Sequence, residues 1–195
     1  MLTLHHLNQS RSHRVIWALE ELPLPYEIVH YQREKTMLAP ESLKKVHPLG
    51  KSQVLEDNGL ILAESGAILE YLQETYDPGS RLKPLDPADK MQYRFWLHYA
   101  EALGQGVQKA YLNRQIETHA RFIESHLSQN SLFAGESLSM ADIQMSFPIF
   151  ALLARGGIDN LPHTQAWKEK VESSPGWQRT LEQGGPLSIP VEDKV

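Results

Sequence analysis

The first 76 residues alternate between short apolar runs and stretches in which apolar residues recur at helical spacing. Residues 2–7 and 26–31 are rich in β-forming side chains, which predicts two strands. Between them, residues 12–22 carry apolar positions three and four apart, which predicts a helix. A strand, a helix and a strand in this order form a βαβ unit, whose two strands pair in parallel.

The rest of this segment predicts a hairpin followed by a helix. An Asn-Gly pair separates the apolar residues of 53–56 from those of 60–62, and such a pair is typical of a tight hairpin turn that needs positive φ. Helical spacing extends over 64–75, and a short helix is expected at 40–46. The order βαβαββα indicates an α/β domain with a mixed four-stranded sheet and helices packed on it.

The remainder of the chain shows helical patterns and no convincing strand. After the helix predicted over 64–75, an Asp-Pro-Gly-Ser sequence breaks the helical pattern and predicts a linker. Ser139-Met-Ala-Asp142 is a capping box, so we expect Ser139 and Asp142 to be structural. The predicted organisation is an α/β domain over 1–76, a linker over 77–86 and an all-helical domain over 87–195.

Composition and charge narrow the class of protein. Of the 195 residues, 41% are hydrophobic and 22% are charged, with a formal net charge of −5. This is an ordinary globular balance without a basic run, so we expect no nucleic-acid partner. The longest apolar stretch is far too short for a membrane span, and the N-terminus lacks the apolar core of a signal peptide. We therefore expect a cytoplasmic protein with no membrane partner.

Candidate metal and thiol chemistry is limited. The chain has no cysteine, which excludes disulfides, thiolate metal sites and a cysteine nucleophile of its own. The nine histidines do not follow a metal-ligand spacing, and His5 and His6 are adjacent on a strand, so they point to opposite faces. We therefore expect no metal cofactor.

Two helix starts are candidate anion sites. Ser10 follows the first strand and precedes the first helix, at the edge where open α/β sheets bind ligands. Its hydroxyl and the positive helix end favour an anion such as a thiolate, and the alternative is that Ser10 or Ser12 caps the helix. Glu64 and Ser65 begin a later helix, where N–H groups bind carboxylates, and capping is again the alternative. Lys51 is either a point charge for a second carboxylate or an exposed solubilising lysine.

Five motifs resemble the cytosolic glutathione S-transferases in sequence and in order: LHHLNQSRSHRVIWALEEL, LPYEI, HPLGKSQVLED, LAESGAILEYL and GESLSMADI. The first is similar to a bacterial and fungal branch that resembles serine-using transferases. The resemblance covers nearly the whole chain. It implies a thioredoxin-like N-terminal domain, a helical C-terminal domain, glutathione as cosubstrate and a homodimer.

The resemblance also implies how the thiol is activated. Ser10 matches the serine that activates the thiol of glutathione, and Asn8 is a second candidate for orienting it. A free thiol has a pKa near 8.5, and only the thiolate is a good nucleophile. Each unit of pKa depression needs about 1.4 kcal/mol of preference for the anion, which a charge-assisted hydrogen bond and a helix dipole can supply.

The same resemblance implies contacts to the glutathione peptide. Lys51 would hold the glycyl carboxylate, and the backbone of Ser52 would pair with the cysteinyl unit. Glu64 and Ser65 would hold the γ-glutamyl end. Gln53 stands where the family has a cis-proline, so the Ser52–Gln53 bond is expected to be either a cis peptide or part of a loop rebuilt in trans.

A second departure from the family concerns the helix pair that walls the pocket for the second substrate. About thirty residues of that pair are absent, and Gly104 and Gly106 predict a turn after a first helix only about 25 Å long. Tyr99 and Leu103 are the candidate lining residues. A short pair would leave the pocket open to solvent and favour broad, weak binding of electrophiles.

The predicted function is transfer of the glutathione thiolate to a small, apolar electrophile. One alternative is glutathione-dependent reduction of a peroxide at the same site. The other is a non-catalytic binding or regulatory protein with the same fold, which the shortened helix pair and Gln53 leave open.

Overall fold

A computed structural model of the chain describes residues 1–106, 113–156, 158–187 and 189. The described residues form two compact units, one of Met1–Tyr76 with the described part of 175–189 and one of the described part of Asp77–Ser174. The first unit contains β1 (Leu2–Leu7), α1 (Ser12–Glu21), β2 (Tyr26–Tyr31), a 3-10 helix (Glu41–Lys45), β3 (Val54–Asp57), β4 (Leu60–Ala63), α2 (Ser65–Tyr76) and α7 (Pro175–Gly184). The second contains α3 (Pro87–Gly106), α4 (Asn113–Leu127), α5 (Met140–Arg155) and α6 (Pro162–Glu172).

The first unit is built on a mixed four-stranded sheet with the order β2-β1-β3-β4. β1 and β2 pair in parallel, as the βαβ pattern predicts, and β3 runs antiparallel to both β1 and β4. The hairpin turns at Asn58 and Gly59, whose φ angles are 47° and 89°, in the left-handed region that an Asn-Gly pair accommodates. The predicted thioredoxin-like fold is confirmed, with a 3-10 helix as its second helical element.

The helix α1 forms the centre of this unit's core and packs against α7. Trp17 and Trp177 meet edge to face with ring centroids 5.2 Å apart, and both side chains are buried. Gly176 allows this approach, because a Cβ atom there would lie 1.8 Å from the Glu21 carboxylate. The helix α7 therefore belongs to the first unit, whereas the sequence analysis included it in the helical domain over 87–195. The apolar spacing of α7 predicts a helix but does not identify its neighbour.

In the second unit, α3 packs against α5 and α4 packs against α6. Its core includes Trp96 and Phe133, whose ring centroids are 4.7 Å apart, and Trp167, which meets Phe133 at 5.3 Å. The predicted capping box at the start of α5 is present, formed by Ser139 and Asp142. Across the described ranges, no helix combines the length and the apolar character needed to cross a membrane.

The helix α3 differs from the sequence prediction at its end. It comprises 20 residues, about 30 Å, and includes both Gly104 and Gly106, so the turn does not begin at the first glycine. Leu97 and Leu103 on this helix are buried, and such packing offsets the cost of about 1 kcal/mol that each glycine carries in a helix. Residues 107–112, between α3 and α4, lie outside the described residues.

Candidate active site

The turn between β1 and α1 holds the Ser10 side chain, of which only 6% is exposed. Its hydroxyl donates to the carbonyl of Leu7 over 2.7 Å, and its Oγ lies 2.6 Å from Ser12 Oγ and 3.3 Å from Ser52 Oγ. The Ser12 N–H donates to the same Oγ over 3.2 Å, so Ser10 also satisfies a donor at the helix start. The hydroxyl therefore lies beside the positive end of α1, where an anion is favoured.

Ser12 is in turn hydrogen-bonded to His6 on β1. His6 Nε2 lies 2.8 Å from the carbonyl oxygen of Gly184, which can only accept, so Nε2 carries the proton. Nδ1 consequently accepts from the Ser12 hydroxyl over 2.7 Å. Burial, with a smaller contribution from His13, lowers the pKa of His6 to about 4, and the imidazole is neutral near pH 7. The Ser12 backbone N–H donates to Ser10 Oγ, so Ser12 and His6 together link Ser10 to α7 through hydrogen bonds.

The segment before β3 brings Ser52 and Gln53 next to this turn. The peptide bond between them is cis, which decides between the two geometries expected from the sequence. The Leu7 N–H donates to Ser52 Oγ over 3.2 Å. Gln53 is buried, and with its amide oxygen turned toward α2 it accepts from the Ser65 N–H over 2.8 Å. Gln53 therefore connects the start of β3 to the start of α2.

The start of α2 combines a helix N-terminus with a buried cation. Arg14 on α1 is fully buried, and its Nη1 donates to Ser65 Oγ over 3.0 Å. Glu64, just before the helix, has a φ of 74°, in the left-handed region. Free N–H groups of a helix start and a guanidinium both favour a carboxylate ligand. Ser65 thus lies where the sequence predicts the γ-glutamyl end to bind.

The surroundings of Asn8 and Lys51 give less direct support for the roles expected of these residues. The Asn8 side-chain oxygen accepts from the backbone N–H of Arg33 over 2.8 Å, so this oxygen is committed to the loop after β2. Lys51 is exposed and follows Gly50, whose φ of 57° turns the chain. The roles expected for Asn8 and Lys51 therefore stay predictions.

The two candidate pocket residues lie on α3 in the second unit. The Tyr99 hydroxyl is hydrogen-bonded to His119 Nδ1 on α4, and burial raises the pKa of Tyr99 to about 12. Leu103 is buried. Both side chains therefore contribute to the packing of this unit, and their contact with a second substrate stays a prediction. Among the described residues, no group of three or more His, Asp or Glu side chains could hold a metal ion.

Two family models match most of the chain. The family described as glutathione S-transferase, N-terminal domain, matches residues 1–74, and its C-terminal domain family matches residues 93–175. Glutathione S-transferase 3 of Schizosaccharomyces pombe is 37% identical over 180 residues, covering 77% of this chain and 74% of the yeast protein. The chain belongs to the glutathione S-transferase family.

Solved structures of other transferases share the fold. A glutathione S-transferase from Actinobacillus pleuropneumoniae is 34% identical, with a TM-score of 0.91 over 96% of this chain and 95% of that one. A theta-class enzyme from Xanthomonas axonopodis pv. citri, solved with glutathione bound, has a TM-score of 0.73 at 22% identity over 96% and 99% of the two chains. The second similarity concerns the fold alone.

In this transferase, the sequence predicts Ser10, Ser65 and the neighbouring loop residues as site residues, and this stays a prediction; it did not indicate that Arg14 and His6 contact this region. Arg14 interrupts the apolar stretch of α1, and a charged residue among apolar neighbours is the one local signal for a buried guanidinium. His6 carried no such signal, because its partner Gly184 is 178 positions away in the sequence.

Proposed function

We propose that this transferase binds glutathione where the β1–α1 turn, the start of β3 and the start of α2 meet, and that the bound thiolate attacks a small, apolar electrophile. The observation that carries the proposal is the 3.3 Å separation of the Ser10 and Ser52 hydroxyl oxygens. It supports a site in which the thiol-activating serine is next to the segment that pairs with the cysteinyl unit. The glutathione bound in the Xanthomonas protein supports the same cosubstrate here.

Ser10 is the residue that stabilises the thiolate in this proposal. Its hydroxyl donates to the neutral Leu7 carbonyl in the free protein. A thiolate is a stronger acceptor than a carbonyl because it is charged, so the hydroxyl turns toward the bound sulfur. With the dipole of α1, this hydrogen bond lowers the thiol pKa at about 1.4 kcal/mol per unit.

The γ-glutamyl end is held at the start of α2. Ser65 offers its hydroxyl to the carboxylate, and Arg14 lies behind that hydroxyl as a buried positive charge. Glu64 pairs with the ammonium group of the same unit. Lys51, on its exposed loop, attracts the glycyl carboxylate as a point charge.

Binding and turnover test this proposal separately. The protein is applied to a glutathione column and titrated with glutathione by calorimetry, and it is then assayed with a generic aryl halide electrophile. Binding with conjugation supports the proposal. Turnover with an organic peroxide alone supports a peroxidase, and binding without either turnover supports a binding protein.

The second substrate and the assembly follow from the family resemblance. Tyr99 and Leu103 are proposed to line the electrophile pocket, and broad acceptance of apolar electrophiles is the expected specificity. A homodimer and a cytoplasmic location are likewise proposed on the resemblance. Measurement of the mass in solution by light scattering tests the dimer.

A further inference from the structure

Arg33, just after β2, is hydrogen-bonded to two loops at the same edge of the sheet. Its Nε donates to the carbonyl of Asn8 over 3.2 Å, and its Nη2 donates to the carbonyl of Gln9 over 3.1 Å. Its Nη1 donates to the carbonyl of Met37 over 2.7 Å. Its own backbone N–H donates to Asn8 Oδ1 over 2.8 Å. One side chain and one peptide group thus fix the two residues that immediately precede Ser10.

The backbone at this turn needs such a restraint. Gln9 has a φ of 50°, in the left-handed region that residues other than glycine, asparagine and aspartate rarely adopt. A residue in such a conformation persists only where surrounding contacts determine it. The planar guanidinium supplies donors in a fixed geometry, which a lysine ammonium does not. The direction in which the Ser10 hydroxyl points therefore depends on contacts that Arg33 makes.

We infer that Arg33 is a positioning residue for thiol activation: it fixes the Asn8–Gln9 backbone so that the Ser10 hydroxyl is directed at the sulfur of bound glutathione. The inference rests on the proposed role of Ser10. Arg33 need not touch glutathione, and the start of α2, which holds the γ-glutamyl end, is a separate element. Loss of Arg33 should therefore affect the thiol more than the affinity for the peptide.

Arg33→Lys is the informative change, because it keeps the positive charge and removes the planar guanidinium with its donors in a fixed geometry. We expect kcat for conjugation to fall about ten-fold or more, since small misplacement of a catalytic group has effects of this size. The pKa of the bound thiol, followed by thiolate absorbance, should rise. The dissociation constant for glutathione, measured at a pH where the bound thiol is protonated, should change by less than about two-fold, because the contact stabilises only the thiolate.

Lys35→Gln is the matched control. Lys35 is an exposed cation two residues along the same loop, so its loss changes the local charge without touching the turn. We expect no change in kcat or in the thiol pKa for this variant. If Lys35→Gln lowered kcat as much as Arg33→Lys, any change in this loop would slow the reaction, and the inference would be overturned.

A double-mutant cycle with Ser10→Ala decides whether Arg33 acts through Ser10. Once the hydroxyl is gone, Arg33→Lys should cause no further loss of kcat, whereas independent effects would multiply. Multiplying effects, or an unchanged kcat in Arg33→Lys while Ser10→Ala is slow, would refute the inference and leave the proposed function intact. An unchanged kcat in Ser10→Ala would instead refute the proposed role of Ser10. If Arg33→Lys does not fold, Arg33→Gln, whose amide can still donate to one carbonyl, is put through the same cycle.

Discussion

The Nδ1 atom of His6 accepts a 2.7 Å hydrogen bond from the hydroxyl of Ser12 in the interior of the first unit. The other ring nitrogen is already bound to the carbonyl of Gly184. The neutral imidazole accepts from Ser12, and protonation of Nδ1 would require the Ser12 hydroxyl to turn and accept instead. This arrangement links the protonation of one side chain to the packing of β1, α1 and α7.

The stability of the protein should depend on pH through His6. Its folded pKa is lowered to about 4 from an unfolded value near 6.5, so between these values the unfolded chain binds more protons. Stability is then full above about pH 6.5 and is lost as the pH falls toward 4, with His6 accounting for at most about 3 kcal/mol. Urea unfolding at a series of pH values measures the slope. His6→Asn should flatten it between pH 4 and 6.5, and an unchanged slope would contradict this assignment.

Ser65→Ala should weaken glutathione binding by about 1–2 kcal/mol, the scale of a hydrogen bond to a charged group. Ser65 is buried at the start of α2, next to Arg14 and Gln53. Calorimetric titration with glutathione measures the change. Thr75→Ala, an exposed hydroxyl near the other end of the same helix, is the control and should bind normally. Equal affinities for Ser65→Ala and the wild type would remove Ser65 from the site.

Ser10→Ala should lower turnover and raise the pKa of bound glutathione, with little effect on affinity. The hydroxyl is expected to stabilise only the ionised sulfur, so its loss shifts the thiol equilibrium. Thiolate absorbance as a function of pH measures the shift, and Ser42→Ala, an exposed serine of the 3-10 helix, serves as control. A thiol titration identical to that of the wild type would mean that another group activates the thiol.

Asp142→Ala should destabilise the protein and leave the specific activity of the folded fraction unchanged. The Asp142 carboxylate accepts from the backbone N–H of Phe133 over 2.9 Å and from that of Ser139 over 3.1 Å. The alanine variant leaves both buried N–H groups without this acceptor, at about 1–3 kcal/mol each. Thermal unfolding measures the loss, and Glu136→Ala removes an exposed carboxylate as control. Loss of activity without loss of stability would give Asp142 a functional role.

Features set by short stretches of sequence were predictable, and those set by distant partners were not. The Asn58-Gly59 turn, the parallel pairing of β1 with β2 and the Ser139–Asp142 box depend on neighbours in the sequence. Which unit α7 joins depends on its packing against α1, a residue range far away in the sequence. The contacts of Arg33 with Asn8 join residues 25 positions apart, and neither residue type predicts that the two meet.

The site shows the same division. The positions of Ser10 and Ser65 were predictable because Ser10 lies between a strand and the helix after it, and Ser65 begins a helix that follows a strand. The bond from Arg14 to Ser65 spans 51 positions and depends on how α1 and α2 pack. The continuation of α3 through Gly104 shows tertiary packing outweighing helix propensity.

The return of α7 to the first unit has a consequence for how the protein is made. Trp17 and His6 emerge early from the ribosome, but their partners Trp177 and Gly184 are synthesised only after the whole second unit. At about 5–20 residues per second, that interval is roughly 5–20 s. During it, the face of α1 that α7 later covers has no native partner. Nascent chains should therefore be most prone to chaperone binding between the completion of α2 and the release of α7.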